Sequence, residues 1–192
     1  NAQDFGNLTG AKQEGAAASN HLRGIYFGGD PALNIIEFVT FASIGNATDF
    51  GDLLNGAKSG TSMSNRTRGV LQLGGLTSNI LEFITFSQTG NSVDFGDMAL
   101  GGNAGSGFSS STRGVYAIGS NDANYKNNIE FITISTTGNG TDFGDLSAAL
   151  IHRNAYSNAT RGVFHSGYQY PASPNFSNNI EYVTIATTGN TV

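Results

Sequence analysis

Short apolar runs alternate with polar, glycine-rich stretches along the whole chain. The clearest run is residues 35–41, Ile-Ile-Glu-Phe-Val-Thr-Phe. Read as a strand, it places Ile36, Phe38 and Thr40 on one face and Ile35, Val39 and Phe41, beside Glu37, on the other. Residues 80–86, 129–134 and 180–185 repeat the arrangement. A strand that is apolar on both faces must be covered on both faces. Sheets stacked as blades around an axis provide that cover, whereas a single sheet with a wet face does not. Residues 22–29 form a second kind of run, ended by Gly28-Gly29, and read as a strand entering a turn. A third kind carries Asp-Phe-Gly, and a fourth, for example residues 59–65, has the weakest strand signal.

These runs recur in a fixed order. Asp-Phe-Gly begins at Asp4, Asp49, Asp94 and Asp142, at spacings of 45, 45 and 48 residues. Arg-Gly begins at Arg23, Arg68, Arg113 and Arg161 with the same spacings. The Ile-Glu run is centred on Glu37, Glu82, Glu130 and Glu181. Self-similarity at this period marks a solenoid, an array or a propeller. Residues 1–192 are therefore read as one all-β domain of four repeats, each contributing four short strands. Gly24, Gly69, Gly114 and Gly162 recur within the Arg-Gly run. They imply either crowded backbones, as in the strands nearest an axis, or a β-bulge.

Residues 188–192 align with 44–48, and residues 1–4 align with 46–49. The end of the chain thus leads into its start, which predicts a four-bladed propeller closed by pairing N- and C-terminal strands in one blade. The opening residue falls in mid-repeat, which points to a processed product or a piece of something longer.

Composition narrows the function classes. Charged residues make up 12% of the chain, the net charge is −5, and only nine residues are Lys or Arg. A nucleic-acid partner is therefore not expected. The chain has no cysteine, which removes disulfides and thiolate metal sites. No apolar run approaches the ~18 residues of a membrane-inserted helix.

The residues also carry a resemblance. Gly28-Gly29 and Gly74-Gly75 close apolar strands, and an aromatic-plus-leucine strand (Phe50 with Leu53) follows, in the order of kelch repeats. The kelch tryptophan is replaced by Phe, and the glycine pair becomes Gly119-Ser120 and Ser166-Gly167 in the later copies. The wider pattern Ile-Glu-[Phe/Tyr]-[Ile/Val]-Thr, Thr-Gly-Asn, Asp-Phe-Gly-Asp-Leu and Thr-Arg-Gly-Val resembles kelch-like repeats in structural proteins of marine bacteriophages, including those infecting cyanobacteria. The resemblance implies a β-propeller and a virion or tail-associated role in an extracellular particle. Partners would be other virion proteins, a host-surface glycan or protein, or further copies of the chain.

Candidate chemistry is sparse. Asp-Phe-Gly is also the magnesium motif of protein kinases, but there it occurs once, beside a catalytic loop and a glycine-rich loop missing here. Asp49 with Asp52, Asp94 with Asp97 and Asp142 with Asp145 could offer oxygen ligands to calcium, yet calcium loops carry denser ligands, so they read as solvated turns. His21, His152 and His165 do not recur. No metal, cofactor or catalytic residue is assigned, and the chain is read as non-enzymatic. Asn-x-Ser/Thr triplets such as Asn65-Arg66-Thr67 and Asn158-Ala159-Thr160 read as turn formers. Arg23, Arg68, Arg113 and Arg161 are expected to form structural ion pairs with Glu37, Glu82, Glu130 and Glu181, or with the Asp of Asp-Phe-Gly, because buried charges need partners.

The copies differ most in the loop after the Arg-Gly strand, residues 30–33, 76–78, 121–127 and 168–178. The longer members carry Tyr125, Lys126, Tyr168, Gln169, Tyr170, Asn175 and Phe176, the candidate ligand-binding residues. Aromatic faces beside amides suit a protein partner or, as an alternative, the sugars of a lectin-type propeller.

Overall fold

Each apolar run becomes a strand, and every strand pairs antiparallel with its neighbour in sequence. The computed structural model describes residues 1–75, 78–121, 124–169 and 176–192. No helix occurs among the described residues. The first sheet is β1 (Ala16–Ser19), β2 (Arg23–Phe27), β3 (Leu33–Thr40) and β4 (Thr48–Ala57), in that order. The second is β5 (Thr61–Ser64), β6 (Arg68–Gln72), β7 (Ile80–Thr85) and β8 (Val93–Asp97). In the third, β9 (Ser106–Ser109) and β10 (Arg113–Ala117) precede a hairpin of β11 (Ser120–Asn121) and β12 (Asn124–Tyr125) that forms a separate two-stranded sheet. The sheet then continues through β13 (Asn128–Thr133) and β14 (Thr141–Asp145). The fourth has three strands, β15 (Asn154–Ser157), β16 (Arg161–His165) and β17 (Ile180–Thr184).

Local chemistry sets the registers. Asn20, Asn65 and Asn158 accept hydrogen bonds from the backbone N–H groups two and three residues on, closing the turn into the Arg-Gly strand; Ser110 does the same in the third sheet. In the first three sheets the Ile-Glu strand meets its Asp-Phe-Gly strand across a register shift, at Ile36/Glu37, Leu81/Glu82 and Ile129/Glu130. The bulge leaves the Phe of Asp-Phe-Gly unpaired in register. Its ring packs edge-on to the aromatic after the Glu, at 5.9, 5.9 and 6.0 Å for Phe38–Phe50, Phe83–Phe95 and Phe131–Phe143.

The core lies between sheets. Three apolar clusters fill the junctions, built largely from isoleucine, leucine, valine and phenylalanine of the middle strands, with Met63 and Met98 beside them. The first strands of successive sheets pack on each other, β1 on β5, β5 on β9 and β9 on β15. The weakest strand in the sequence is therefore the one lining the inter-sheet row, and the Arg-Gly strand sits one place out. Its recurring glycine has a different cause from the two expected. A Cβ on Gly114 would lie 2.8 Å from Met63, and one on Gly162 would overlap the Phe108 ring. At these two positions the glycine makes room for a side chain of the preceding sheet, whereas Gly24 and Gly69 lie closest to Phe41 and Phe86 of their own sheets; the bulge lies elsewhere.

A second set of contacts ties each sheet to the next. The N–H groups of Asn7, Asp52, Asp97 and Asp145 each donate to the side-chain carbonyl of an Asn in the following Thr-Gly-Asn-type turn (Asn46, Asn91, Asn139 and Asn190), always at 3.0 Å. Backbone bonds flank each clamp, such as Gly90 N–H to Phe50 O at 2.6 Å and Ser92 N–H to Asp52 O at 2.9 Å. The constant length of this turn follows from its grip on the preceding strand.

The expected closure of first strand on last sheet is not found. β17 exchanges hydrogen bonds with Val192 through Tyr182, at 3.1 Å in each direction, and not with residues 1–8. Residues 1–8 bond instead to the turn of the first sheet, through Gly45 N–H to Phe5 O at 2.9 Å and Ala47 N–H to Asn7 O at 2.8 Å. Among the described residues β1 and β15 make no packing comparable to that of the internal rows.

Candidate functional site

Four residues just before the first strand of each sheet hold left-handed backbone: Glu14, Ser59, Ala104 and His152, with φ of 58°, 53°, 51° and 53°. Each costs a non-glycine residue on the order of 1–3 kcal/mol. The conformation turns their peptide groups toward one another in a ladder. Ser59 N–H donates to Glu14 O at 2.8 Å, Ala104 N–H to Ser59 O at 3.3 Å, and His152 N–H to Ala104 O at 3.0 Å. A polar cavity of about 360 Å³ lies along the ladder, with Arg153 and Asn154 on its wall.

The variable loops gather at this end. The loop of the first sheet meets the segment that follows β4 through an exposed ion pair, Lys58 to Asp30 at 2.9 Å. The Lys58 hydrogen bond and charge hold the Asp30 carboxyl below its ordinary range and raise the Lys58 ammonium. In the fourth repeat Tyr168 pairs with Ile151, each N–H donating to the other's carbonyl at 3.1 Å. The Tyr168 ring stacks on the His152 imidazole, with centroids 5.8 Å apart and planes at 8°. Phe176 lies 6.1 Å from the same tyrosine and is 80% exposed.

The structure thus brings Tyr168 and Phe176 together, with Gln169 half-buried beside them in sequence. Tyr125 belongs to the hairpin of the third sheet, and Lys126 N–H donates to Gly119 O at 3.0 Å. Tyr170 and Asn175 lie outside the described residues. His152 was not singled out in the sequence because it does not recur. Its signal is positional: it stands where Glu14, Ser59 and Ala104 stand, directly before a glycine in three copies and before Arg153 in the fourth.

The expected Arg–Glu pairs are not formed. Each Arg turns instead onto the aromatic of its own middle strand, Arg23 over Phe38 at 4.6 Å, Arg68 over Phe83 at 4.5 Å, Arg113 over Phe131 and Arg161 over Tyr182 at 4.4 Å. Three of them reach the next sheet and donate to a carbonyl there: Arg23 to Phe86 O, Arg68 to Ile134 O and Arg113 to Ile185 O. A planar guanidinium can stack and donate at once, which explains Arg over Lys.

Each Glu faces the other way. Glu37 meets the N-terminal segment, while Glu82, Glu130 and Glu181 each accept from the equivalent backbone N–H of the preceding repeat, of Leu54, Ala99 and Ser147, and differ in their remaining partners. Glu37 takes the Lys12 ammonium at 2.7 Å, with both side chains buried. Glu82 accepts from the Leu54 and Asn55 N–H groups and from Ser92. Glu130 accepts from the Ala99 and Leu100 N–H groups, but burial outweighs them and pushes its carboxyl up. At Glu181 burial also acts to raise the carboxyl. Hydrogen bonds from Thr191 and Ser147, with the Arg153 charge, overcome it and hold the group down. Arg153 is itself buried, 2.8 Å from Glu181 Oε1 and 2.8 Å from Ala148 O.

Among the described residues no three His, Asp or Glu side chains gather as a metal ligand set. No helix among them is long and apolar enough to cross a membrane. No protein-family model matches the chain, and no curated protein matches it significantly.

Proposed function

We propose that this chain is a non-enzymatic structural and binding module of a virion, a tail or fibre component whose four sheets are blades of a kelch-like β-propeller. Its loop end contacts another particle protein or the host surface. The observation that carries this reading is the Tyr168–His152 stack, with exposed Phe176 beside it, mounted on the ladder that runs through all four repeats. Aromatic side chains held on a rigid backbone supply contact area at low entropic cost, as hot spots do. Repetition elsewhere in the chain goes into holding the sheets together, while the groups that differ from copy to copy are displayed.

Immunoelectron microscopy of purified particles tests the location, and labelling of the tail or fibre is expected. The paired variant Tyr168→Ala, Phe176→Ala should reduce capture of particle proteins at least tenfold while leaving the unfolding temperature within a few degrees. A second reading, a carbohydrate-binding module, is favoured by the polar cavity beside the aromatic stack. Selective glycan-array binding that Tyr168→Ala abolishes supports it. Silence on the array together with a particle-bound location supports the structural role.

A further inference from the structure

Two Asn-Gly dipeptides occur in the chain, Asn55-Gly56 and Asn139-Gly140. The second falls inside one of the four asparagine clamps. In the other three clamps the asparagine is followed by Ala47, Ser92 or Thr191. Packing explains the exception. Ser92 and Thr191 each reach the buried glutamate of their junction with a hydroxyl, whereas a Cβ on Gly140 would lie 2.7 Å from Glu130 Oε2 and 2.8 Å from Met98 Sδ. The third joint has room only for glycine there. It therefore sets a residue without a Cβ directly after an exposed asparagine.

That neighbour matters chemically. A backbone nitrogen can attack the side-chain carbonyl carbon of the asparagine before it, and a Cβ on the attacking residue obstructs the approach. The carbonyl oxygen gathers negative charge as the bond forms, so a donor aimed at it lowers the barrier. Every clamp supplies such a donor; for Asn139 it is the Asp97 N–H, 3.0 Å from Oδ1. Asn46, Asn91 and Asn190 have the donor but not the glycine. Asn55 has the glycine but the wrong charge beside it. Its N–H and its Nδ2 both donate to Glu82 Oε1, at 3.1 and 3.0 Å, and a carboxylate there opposes a second negative charge on the same amide. Asn139 combines the glycine with the donor.

We infer that Asn139 is a site of spontaneous self-modification, deamidation through a cyclic imide. The Gly140 nitrogen bonds to Asn139 Cγ, the Cγ–Nδ2 bond breaks, and the side-chain nitrogen leaves as ammonia with the proton given up by Gly140. Water then opens the ring at either carbonyl, leaving aspartate or isoaspartate; nothing is oxidised or reduced. In the closed joint the Gly140 N–H donates to Asp97 O at 2.7 Å. That bond must part before attack, while the bond to Oδ1 stays, so the step proceeds from a local opening of the joint. The product carries a new negative charge. Its isoaspartate form also adds a methylene to the main chain of a turn whose length is otherwise constant. The joint between the second and third sheets is thereby loosened irreversibly. The site lies away from the aromatic stack of the loop end and stands or falls apart from it.

The chain without any substitution serves for the test, so no misfolded variant can confuse it. It is incubated folded in mildly alkaline water enriched in heavy oxygen and digested, and label at each asparagine is followed by mass spectrometry. Short peptides spanning residues 52–58 and 136–142 are treated alongside. In the folded chain Asn139 is expected to take up label at least tenfold faster than Asn55 and Asn91, as a mixture of aspartate and isoaspartate. The two peptides are expected to react at similar rates. A smaller excess in the folded chain overturns the inference. So does an equal preference between the peptides, which would owe nothing to the fold. The reacted chain, separated by its extra charge, should unfold several degrees below the parent, and equal unfolding temperatures overturn the loosening of the joint.

Discussion

The internal junctions and the two outer faces are built from the same sequence positions, and only the neighbours differ. At the second and third junctions a large residue of one sheet fills the space above a glycine of the next, Met63 over Gly114 and Phe108 over Gly162. At the outer faces the same pair is split, with Gly24 on one face and Tyr156 on the other. The comparison teaches that burial in this chain belongs to the junction, not to the repeat. A repeat taken alone is a four-stranded sheet with two apolar faces and cannot hold its own core.

Truncation of a buried ring and of an exposed ring on an open face should separate the two most sharply. Phe164→Ala removes a fully buried ring and is expected to cost about 3–5 kcal/mol. Tyr156→Ala, at 55% exposure, should stay within about 0.5 kcal/mol. Chemical denaturation of both variants checks the difference. If Tyr156→Ala proves as costly as Phe164→Ala, the face is not open.

Glycine substitutions sharpen the same contrast from the other side. Gly114→Ala places a Cβ 2.8 Å from Met63 and should cost about 1–3 kcal/mol. Gly24→Ala meets nothing nearer than 3.2 Å, at the rim of the Phe41 ring, and should unfold near the parent temperature. Differential scanning calorimetry measures both.

The buried glutamates make a subtler test, because two junctions solve one problem with opposite signs. Glu130 has its carboxyl raised by burial, so its contribution to stability is greatest below the ordinary glutamate value of about 4.3 and is lost as pH rises through the folded value. Glu181 is lowered, so its contribution is present above that ordinary value and is lost as pH falls through the folded one. Thermal unfolding between about pH 3 and 7 should show Glu130→Gln gaining relative to the parent as pH rises, and Glu181→Gln losing. Parallel profiles would remove the distinction. The smallest effect belongs to the arginines. Arg68→Met loses a stacked cation and a hydrogen bond across a closed junction, about 1–2 kcal/mol, and Arg161→Met loses only an exposed stack.

Much of the fold was legible because each middle strand is apolar on both faces, a pattern that only stacked sheets satisfy. The charged positions were legible as buried but not as partners. A one-dimensional pattern places Arg23 and Glu37 in paired strands, yet these side chains point toward opposite neighbouring sheets, and the stacking aromatic (Phe38) sits one residue past the Glu. The site was harder still. Tyr168 and Phe176 could be picked from the irregular loop, whereas His152 gains its meaning from a backbone ladder formed by residues of four different types. Hydrogen bonds between main chains leave no trace in side-chain identity.

The asparagine clamp has one more consequence. Because Asn46 and Asn91 grip the strand before them in the same way, the 45-residue interval between Asp-Phe-Gly phrases is an interchangeable cassette. Excising residues 46–90 would hand Asn91 the strand that Asn46 now holds. Gene duplication and loss could therefore lengthen or shorten this molecule without redesigning a single joint, and a three-sheet deletant that still melts cooperatively would demonstrate it.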